Sequence, residues 1–483
     1  MTEGYEPVIG LEVHAQMLTT TKAFCGCSTQ FGGEPNSHVC PVCLGMPGTL
    51  PVLNRKLVEF VVTMGLAVDC AIASRAVFAR KNYFYPDLPK GYQISQYEEP
   101  ICTGGALEIE TGGGSRRRIG IERIHMEEDA GKSLHDQHAD TLVDANRCGV
   151  PLIEIVSAPD LRSPREAALF LEGIRQLVTY LEICSGSMEE GNLRCDANVS
   201  VRRRGETRLG TKTEVKNLNS FRHVERALEY EVGRQVGLIE DGGEVAQETL
   251  LWDAERNVAL PMRSKEEADD YRYFPDPDLV PVCVSEEWVA ELRSRMPELP
   301  ARRRERFQNE LGLSPYDAGV LTAERATADY FEGTLAALGK GDAKTAGNWV
   351  MTEVLRVAGE RKIPLNLFPV APARLAALIA LVKRGEISGT IAKEVFEAMV
   401  ESGQDPGTIV REKGLVQVSD AGEIASVVTR VLAGHPAQVR KYLDGNTRLM
   451  GFFVGETMKA MGGKANPSVV NRILQEQLDA MRG

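Results

Sequence analysis

Four cysteines make the most compact chemical signal in the chain. CGC at 25–27 and CPVC at 40–43 place Cys25, Cys27, Cys40 and Cys43 on two short knuckles twelve residues apart. Thiolates at CxC and CxxC spacing suit a tetrahedral site for a soft metal, Zn2+ or an iron–sulfur cluster. Sulfur at all four positions leaves no open coordination site, so such a metal is structural; the bland alternative is four unligated thiols. His38 lies inside the loop and is not needed as a ligand. The other six cysteines (Cys70, Cys102, Cys148, Cys184, Cys195, Cys283) are scattered and are expected as small core residues.

A second set consists of acids with one imidazole. On a strand, PVIGLEVHAQM projects Gly10, Glu12, His14 and Gln16 to one face and Ile9, Leu11, Val13 and Ala15 to the other. Alone, that pattern also describes a solvent face. Glu154 tips the balance, because it sits in the almost wholly apolar PLIEIV, where an unpaired carboxylate is expensive. A buried acid there calls for a cation, an arginine or a metal beside it. RCDANVSV repeats the two-faced pattern, with Asp196, Asn198 and Ser200 on one side. RIHMEEDAGKS, at 123–133, adds Glu127, Glu128 and Asp129 just ahead of Gly131-Lys132-Ser133. Oxygen donors with one imidazole suit Mg2+ or Mn2+, the usual equipment for handling ATP phosphates.

The GKS tail is not a P-loop, since that pattern needs glycine at position 126 and the residue is Met126. It is expected as a turn whose lysine touches phosphate or balances the acids. GGK at 462–464 fails too, because Ala465 follows. Basic and aromatic residues interleave in ARKNYFYPDLPKGYQISQ (79–96) and DDYRYFPDPDL (269–279). Lys81, Tyr83, Tyr85 and Ser95 are candidate contacts there for a nucleotide's phosphates and base, or for a single-stranded RNA end. The plain reading is a proline-punctuated loop packed by its own tyrosines.

These side chains need a sheet to position them. Up to about residue 295 the chain alternates in short segments broken by Gly, Pro and Asn, which predicts strands of a mixed or antiparallel sheet. Helices are predicted at 163–182, with Ser163 as N-cap, Pro164 at N1 and Glu166 in capping-box position, and from Ser220 onward. From 296 to 408 helical spacing takes over, and a last helical unit, 409–483, ends in NPSVVNRILQEQLDAM. There Asn466 caps, Pro467 opens, and Val470, Ile473, Leu474 and Leu478 share a face. The expected class is α+β, a sheet domain followed by all-α domains.

A net charge of −12 argues against a protein that coats nucleic acid along its whole surface. From Gly407 onward, however, ten Lys/Arg stand against seven Asp/Glu, compatible with a local RNA contact. MTEGYEPVIG has neither a basic nor an apolar leader region, and no run approaches 18 apolar residues. A cytoplasmic protein without membrane spans is expected.

VIGLEVHAQM, the cysteine knuckles, RKNYFYPDLPKGYQISQ, HMEEDAGKS, LVDANRCGVPLIEIVSAPD, MEEGNLRCDANVSVR, TEVKNLNSFRHVERALEYE and DDYRYFPDPDLVP occur in this order. Together they closely resemble the B-subunit family of the tRNA-dependent amidotransferase, the bacterial GatCAB complex. GFFVGETMKAMGGKANPSVVNRIL resembles that family's YqeY-like tail. The resemblance implies a glutamine synthetase-like catalytic domain at 1–295 and a tRNA-binding tail. It implies ATP-dependent phosphorylation of the side-chain carboxylate on misacylated Glu-tRNA(Gln) or Asp-tRNA(Asn), then amidation. Ammonia would come from the glutaminase (A) chain of the complex, with the C chain completing the heterotrimer and a non-discriminating aminoacyl-tRNA synthetase as a further partner. Carried over by position, His14, Glu128 and Glu154 match the family's Mg2+ ligands, with Glu12 beside them. Glu127, Glu128 and Asp129 of HMEED, with Asp196, match the surroundings of the transferring phosphate; Lys81, Lys212 and Lys216 match phosphate contacts; the four knuckle cysteines match a zinc site. Two rivals stay open at this level: a zinc-stabilised RNA-binding protein without catalysis, and a stand-alone ligase using free ammonia.

Overall fold

Alternation in PVIGLEVHAQM yields a twelve-residue strand, β1 (Tyr5–Gln16), in the middle of a ten-stranded mixed sheet. Six further strands matter for the site: β2 (Ala79–Asn82), β3 (Tyr92–Ser95), β4 (Ser115–Glu128), β5 (Pro151–Ser157), β6 (Leu193–Arg203) and β7 (Thr213–Lys216). The middle of the sheet runs β7–β6–β1–β5–β4 with every pair antiparallel. Beyond β7 the next strand, Thr249–Asp253, is parallel to it, which makes the sheet mixed. The computed structural model of the chain describes residues 4–112, 114–134, 140–262, 271–415, 420–462 and 465–481. Asp269 and Asp270 of DDYRYFPDPDL and two residues of the GGK stretch (463 and 464) lie outside them.

One sheet face is core. Leu11, Val13, Ala15, Ile153, Ile155, Ala197 and Val199 are buried there against α1 (Arg55–Ala67), α2 (Pro164–Tyr180) and α3 (Phe221–Glu240). Each large apolar side chain so buried contributes roughly 1.5–3 kcal/mol. Ser163 caps α2 as expected, accepting from the Glu166 amide at 3.1 Å. Glu166 does not close a capping box on Ser163. Its carboxylate accepts instead from the Arg162 amide (2.8 Å) and from Arg117 Nη1 of β4 (2.7 Å), tying the helix to the sheet.

β2 and β3 form a hairpin, joined on the β2 side by Phe274–Pro275, into a separate three-stranded sheet. Gly131-Lys132-Ser133 is no turn: Lys132–Leu134 is a short strand paired with Leu142–Asp144, and Lys132 is exposed. Cys70, Cys102, Cys148, Cys184 and Cys195 are buried as expected, but Cys283 is exposed on a two-residue strand.

The chain divides into two compact units, Met1–Pro300 and Ala301–Gly483. The second is helical among its described residues and holds two apolar clusters. Phe307, Phe331, Leu378 and Phe396 belong to the first; Ile424, Val428, Phe453 and Leu474 belong to the second. Asn466 caps the last helix, Pro467–Ala480, through the Ser468 amide, and Val470, Ile473, Leu474 and Leu478 are its buried face. Among the described residues no helix is long and apolar enough to cross a membrane.

Candidate active site

The polar face of the sheet is a lattice fixed by strand register. One row across it reads Arg123, Val156, Glu12, Asp196, and the next reads His125, Glu154, His14, Arg194. The row after that holds Glu127, Leu152 and Gln16. Paired residues of antiparallel strands point to one side, so acids far apart in sequence come within a few ångströms.

His14 Nε2 lies 3.2 Å from Glu154 Oε2. His125 Nε2 lies 3.3 Å from Glu127 Oε1 and 3.7 Å from Glu154 Oε2. One donor atom each from His14, Glu127 and Glu154 falls within 4.8 Å of the others. Glu127 is also held by Ser95 Oγ (2.7 Å) and Gln93 Nε2 (3.3 Å) from β3, which crosses the end of β4. Burial pushes the Glu154 carboxyl up, but the His14 hydrogen bond and the nearby His125 outweigh it and hold Glu154 well below the usual range. Glu127 is likewise lowered: burial is the largest influence and acts against ionisation, but the hydrogen bond to His125 together with the electrostatic pull of His125 and Lys81 outweighs it. Burial pulls His14 down, while Glu154 and Glu127 reverse this and leave it raised. Two anionic carboxylates and an imidazole within reach of one point fit a hard divalent cation.

Glu128, expected as a ligand here, is not brought to this cluster. Neighbours on a strand face opposite sides, so Glu127 takes the site and Glu128 points to the other side of β4. There it pairs with Lys90 and accepts from the Ile94 amide at 3.0 Å. Asp129 is back on the site side, accepting from Arg194 Nη2 (2.7 Å) and Gln16 Nε2 (2.6 Å). Asp196 receives Lys216 Nζ at 2.7 Å, and Glu12 receives Asn198 Nδ2 at 3.0 Å.

Of the expected nucleotide contacts, Ser95 is buried and spends its hydroxyl on Glu127. Lys81 lies over the Tyr271 ring, 4.6 Å from its centroid, and the charge on Lys81 helps lower Glu127 and Glu154. Tyr83 packs edge-on to Tyr271. Tyr85 and Lys212 are exposed, and neither enters the cluster. His125 went unrecognised in the sequence, although its alternation with Glu127 on one strand was a readable signal.

The cysteines form a second centre. The sulfurs of Cys25, Cys27, Cys40 and Cys43 lie within 4.8 Å of one another, and Cys40 and Cys43 are 3.9 Å apart. A tetrahedral ion with metal–sulfur bonds of ~2.3 Å sets its sulfurs about 3.8 Å apart, so the four residues fit Zn2+. A hydrogen bond with Cys25 holds the Cys43 thiol low, at about 4, while burial pushes Cys27 up to about 11. Lys22, wholly buried, sets Nζ 3.6 Å from Cys43 Sγ. A cavity of about 90 Å³ lies between this knuckle and the Lys90–Glu128 pair.

Fold and donor set together define a mixed-sheet domain with one polar face, on which donor atoms of His14, Glu127 and Glu154 lie within 4.8 Å of one another. The model of the GatB/GatE catalytic domain matches residues 7–290, and that of the GatB domain matches 329–478; the chain belongs to this family. It is 58% identical over 475 residues to the B subunit of the aspartyl/glutamyl-tRNA(Asn/Gln) amidotransferase of Chlorobium phaeobacteroides (strain BS1), covering 98% of this chain and 99% of the relative. It is 57% identical over 478 residues to the protein of the same name from Geobacter sulfurreducens (strain ATCC 51573 / DSM 12127 / PCA), again over 98% and 99%.

Proposed function

We propose that this chain is the kinase and transamidase component of a glutamine-hydrolysing, tRNA-dependent amidotransferase, a carbon–nitrogen ligase. Its substrates are Glu-tRNA(Gln), Asp-tRNA(Asn) or both, with ATP. The convergence of His14, Glu127 and Glu154 from three strands carries this reading, in a family whose relatives bear that activity in their names.

His14, Glu127 and Glu154 would hold Mg2+ or Mn2+, which when bound neutralises charge on the phosphates. A side-chain carboxylate oxygen of the aminoacyl group attacks the γ-phosphorus, ADP leaves, and an acyl phosphate forms. Ammonia then attacks the acyl carbon and phosphate leaves. Glu127 is engaged in the trio, which leaves Glu12, on the same face, as the carboxylate placed to take the proton of the incoming ammonium. Lys81 is the candidate phosphate contact beside the trio, and Lys216 neutralises Asp196 and Glu214 at its far side. Cys25, Cys27, Cys40 and Cys43 would hold a structural Zn2+. We further infer a glutamine synthetase-like sheet domain (1–295), a helical domain (296–408), and a mildly basic tail (409–483) that contacts tRNA. The glutaminase (A) and C chains of a heterotrimer and a non-discriminating synthetase would be its protein partners in the cytoplasm.

The test is amidation of misacylated Glu-tRNA with ATP. The isolated chain should work with ammonium chloride and not with glutamine, and adding the glutaminase chain should confer glutamine dependence. ATP-independent amidation, or none with either nitrogen source in the full complex, would refute the reading.

A further inference from the structure

A β-bulge decides which side chains of β4 reach the active face. Before it, Ile119 and Ile121 point into the core; after it, Ile124 and Met126 do. The shift falls where Val156 pairs with Arg123 and Ser157 with Ile121, leaving Glu122 as the extra residue. Bulges of this kind re-aim side chains next to functional sites. Here the consequence is that Arg123, His125 and Glu127 share the face that carries His14 and Glu154.

We propose that Arg123 binds a substrate oxyanion over this face, either a phosphate of the nucleotide or the side-chain carboxylate of the aminoacyl group. The inference rests on the amidotransferase reading and adds a binding residue to it. Arg123 is half-buried, and its Nε is enclosed with no hydrogen-bond partner. No ion pair joins it to any described residue, which sets it apart from several other arginines of the sheet domain. Arg194 and Arg147 are taken by Asp129, Arg80 by Asp276 and Asp278, and Arg202 by Glu6. The acids nearest along the face are already in use, Glu127 by Ser95, Gln93 and His125, and Glu154 by His14.

Arg123 precedes His125 by two residues, about 7 Å along a strand. It also shares its surroundings with Tyr273. Burial pushes the Tyr273 hydroxyl up, Glu127 and Glu154 push it the same way, and Arg123 opposes them. Tyr273 in turn stacks on Tyr97 with ring centroids 4.2 Å apart. A guanidinium with no ion pair or hydrogen-bond partner among the described residues, on the sheet face that carries His14, Glu127 and Glu154, is equipped for bidentate capture of phosphate or carboxylate.

The test uses the assembled complex with Arg123→Met and Arg123→Lys, and reads KM for ATP and for misacylated tRNA separately from kcat. Arg123→Met should raise one of the two by about 10–100-fold, with Arg123→Lys recovering part of the loss. A change confined to ATP identifies the phosphate, and one confined to the aminoacyl-tRNA identifies the carboxylate. Both KM values staying within about twofold of wild type would overturn the inference. So would a drop in thermal midpoint and kcat at unchanged KM, the signature of a purely structural arginine. Failure of the wild-type complex to show ATP-dependent amidation would instead sink the underlying reading.

Discussion

The chain carries two ion-competent centres built in opposite ways. The cysteine knuckle draws four identical donors from nineteen consecutive residues, 25–43, and its sulfurs are neighbours because the loop is short. The acid–imidazole cluster draws His14, Glu127 and Glu154 from three strands, and its donors meet only through sheet register. A local centre survives small changes elsewhere. A register-built centre fails if any one strand slips, because a one-residue shift sends every side chain to the other face. The adjacent pair Glu127 and Glu128 shows how sharp that rule is.

The largest effect should separate those two glutamates. Glu127→Gln is expected to lower kcat/KM for ATP-dependent amidation in the assembled complex by roughly 10²–10³-fold, and Glu128→Gln by about tenfold or less. Equal losses would erase the distinction drawn from strand alternation. Next, Cys40→Ser should release the metal from the knuckle and cost about 2–5 kcal/mol, the scale of a lost covalent staple. Metal content by mass spectrometry and the urea midpoint would measure both, and Glu127→Gln should retain its full zinc complement. Zinc loss in Glu127→Gln would show that the two centres are not independent.

A smaller effect tests the far side of the active face. Burial alone lowers Lys216, and Asp196 and Glu214 more than reverse it, so its folded-state pKa lies above the ordinary 10.5. A raised basic group stabilises fully below its unfolded value and ceases to do so as pH climbs through the folded one. Lys216→Met should therefore cost roughly 0.5–1.5 kcal/mol at pH 7, discounted because the side chain is about a third exposed. The difference from wild type should shrink in urea titrations above about pH 10.5. Smallest of all, His38→Ala should leave zinc content at one equivalent and stability within about 0.5 kcal/mol, since in the proposed zinc site four thiolates complete the coordination.

Much of the fold was legible because its signals are periodic and local. β1 follows from alternation, α2 and α3 from serine caps ahead of amphipathic runs, and the last helix from Asn466, Pro467 and four apolar positions. Glu154 was legible as a site residue for an energetic reason, since a lone carboxylate has no stable place in PLIEIV. Glu166 misled because a capping-box position does not reveal that Arg117, 49 residues away, is a better partner.

By itself the sequence determined the donor chemistry: four thiolates at zinc spacing, and acids with an imidazole on strands that must present one polar face. These follow from residue types and short periods, which act over a few residues. Only the tertiary structure decided which acids meet. It chose Glu127 over Glu128, inserted His125 between the two carboxylates, and turned Arg123 onto the active face through a bulge. Those outcomes depend on the register of β4 against β5 and of β5 against β1. That register is set by burying Ile124, Met126, Ile153, Ile155 and Val13 in one shared core.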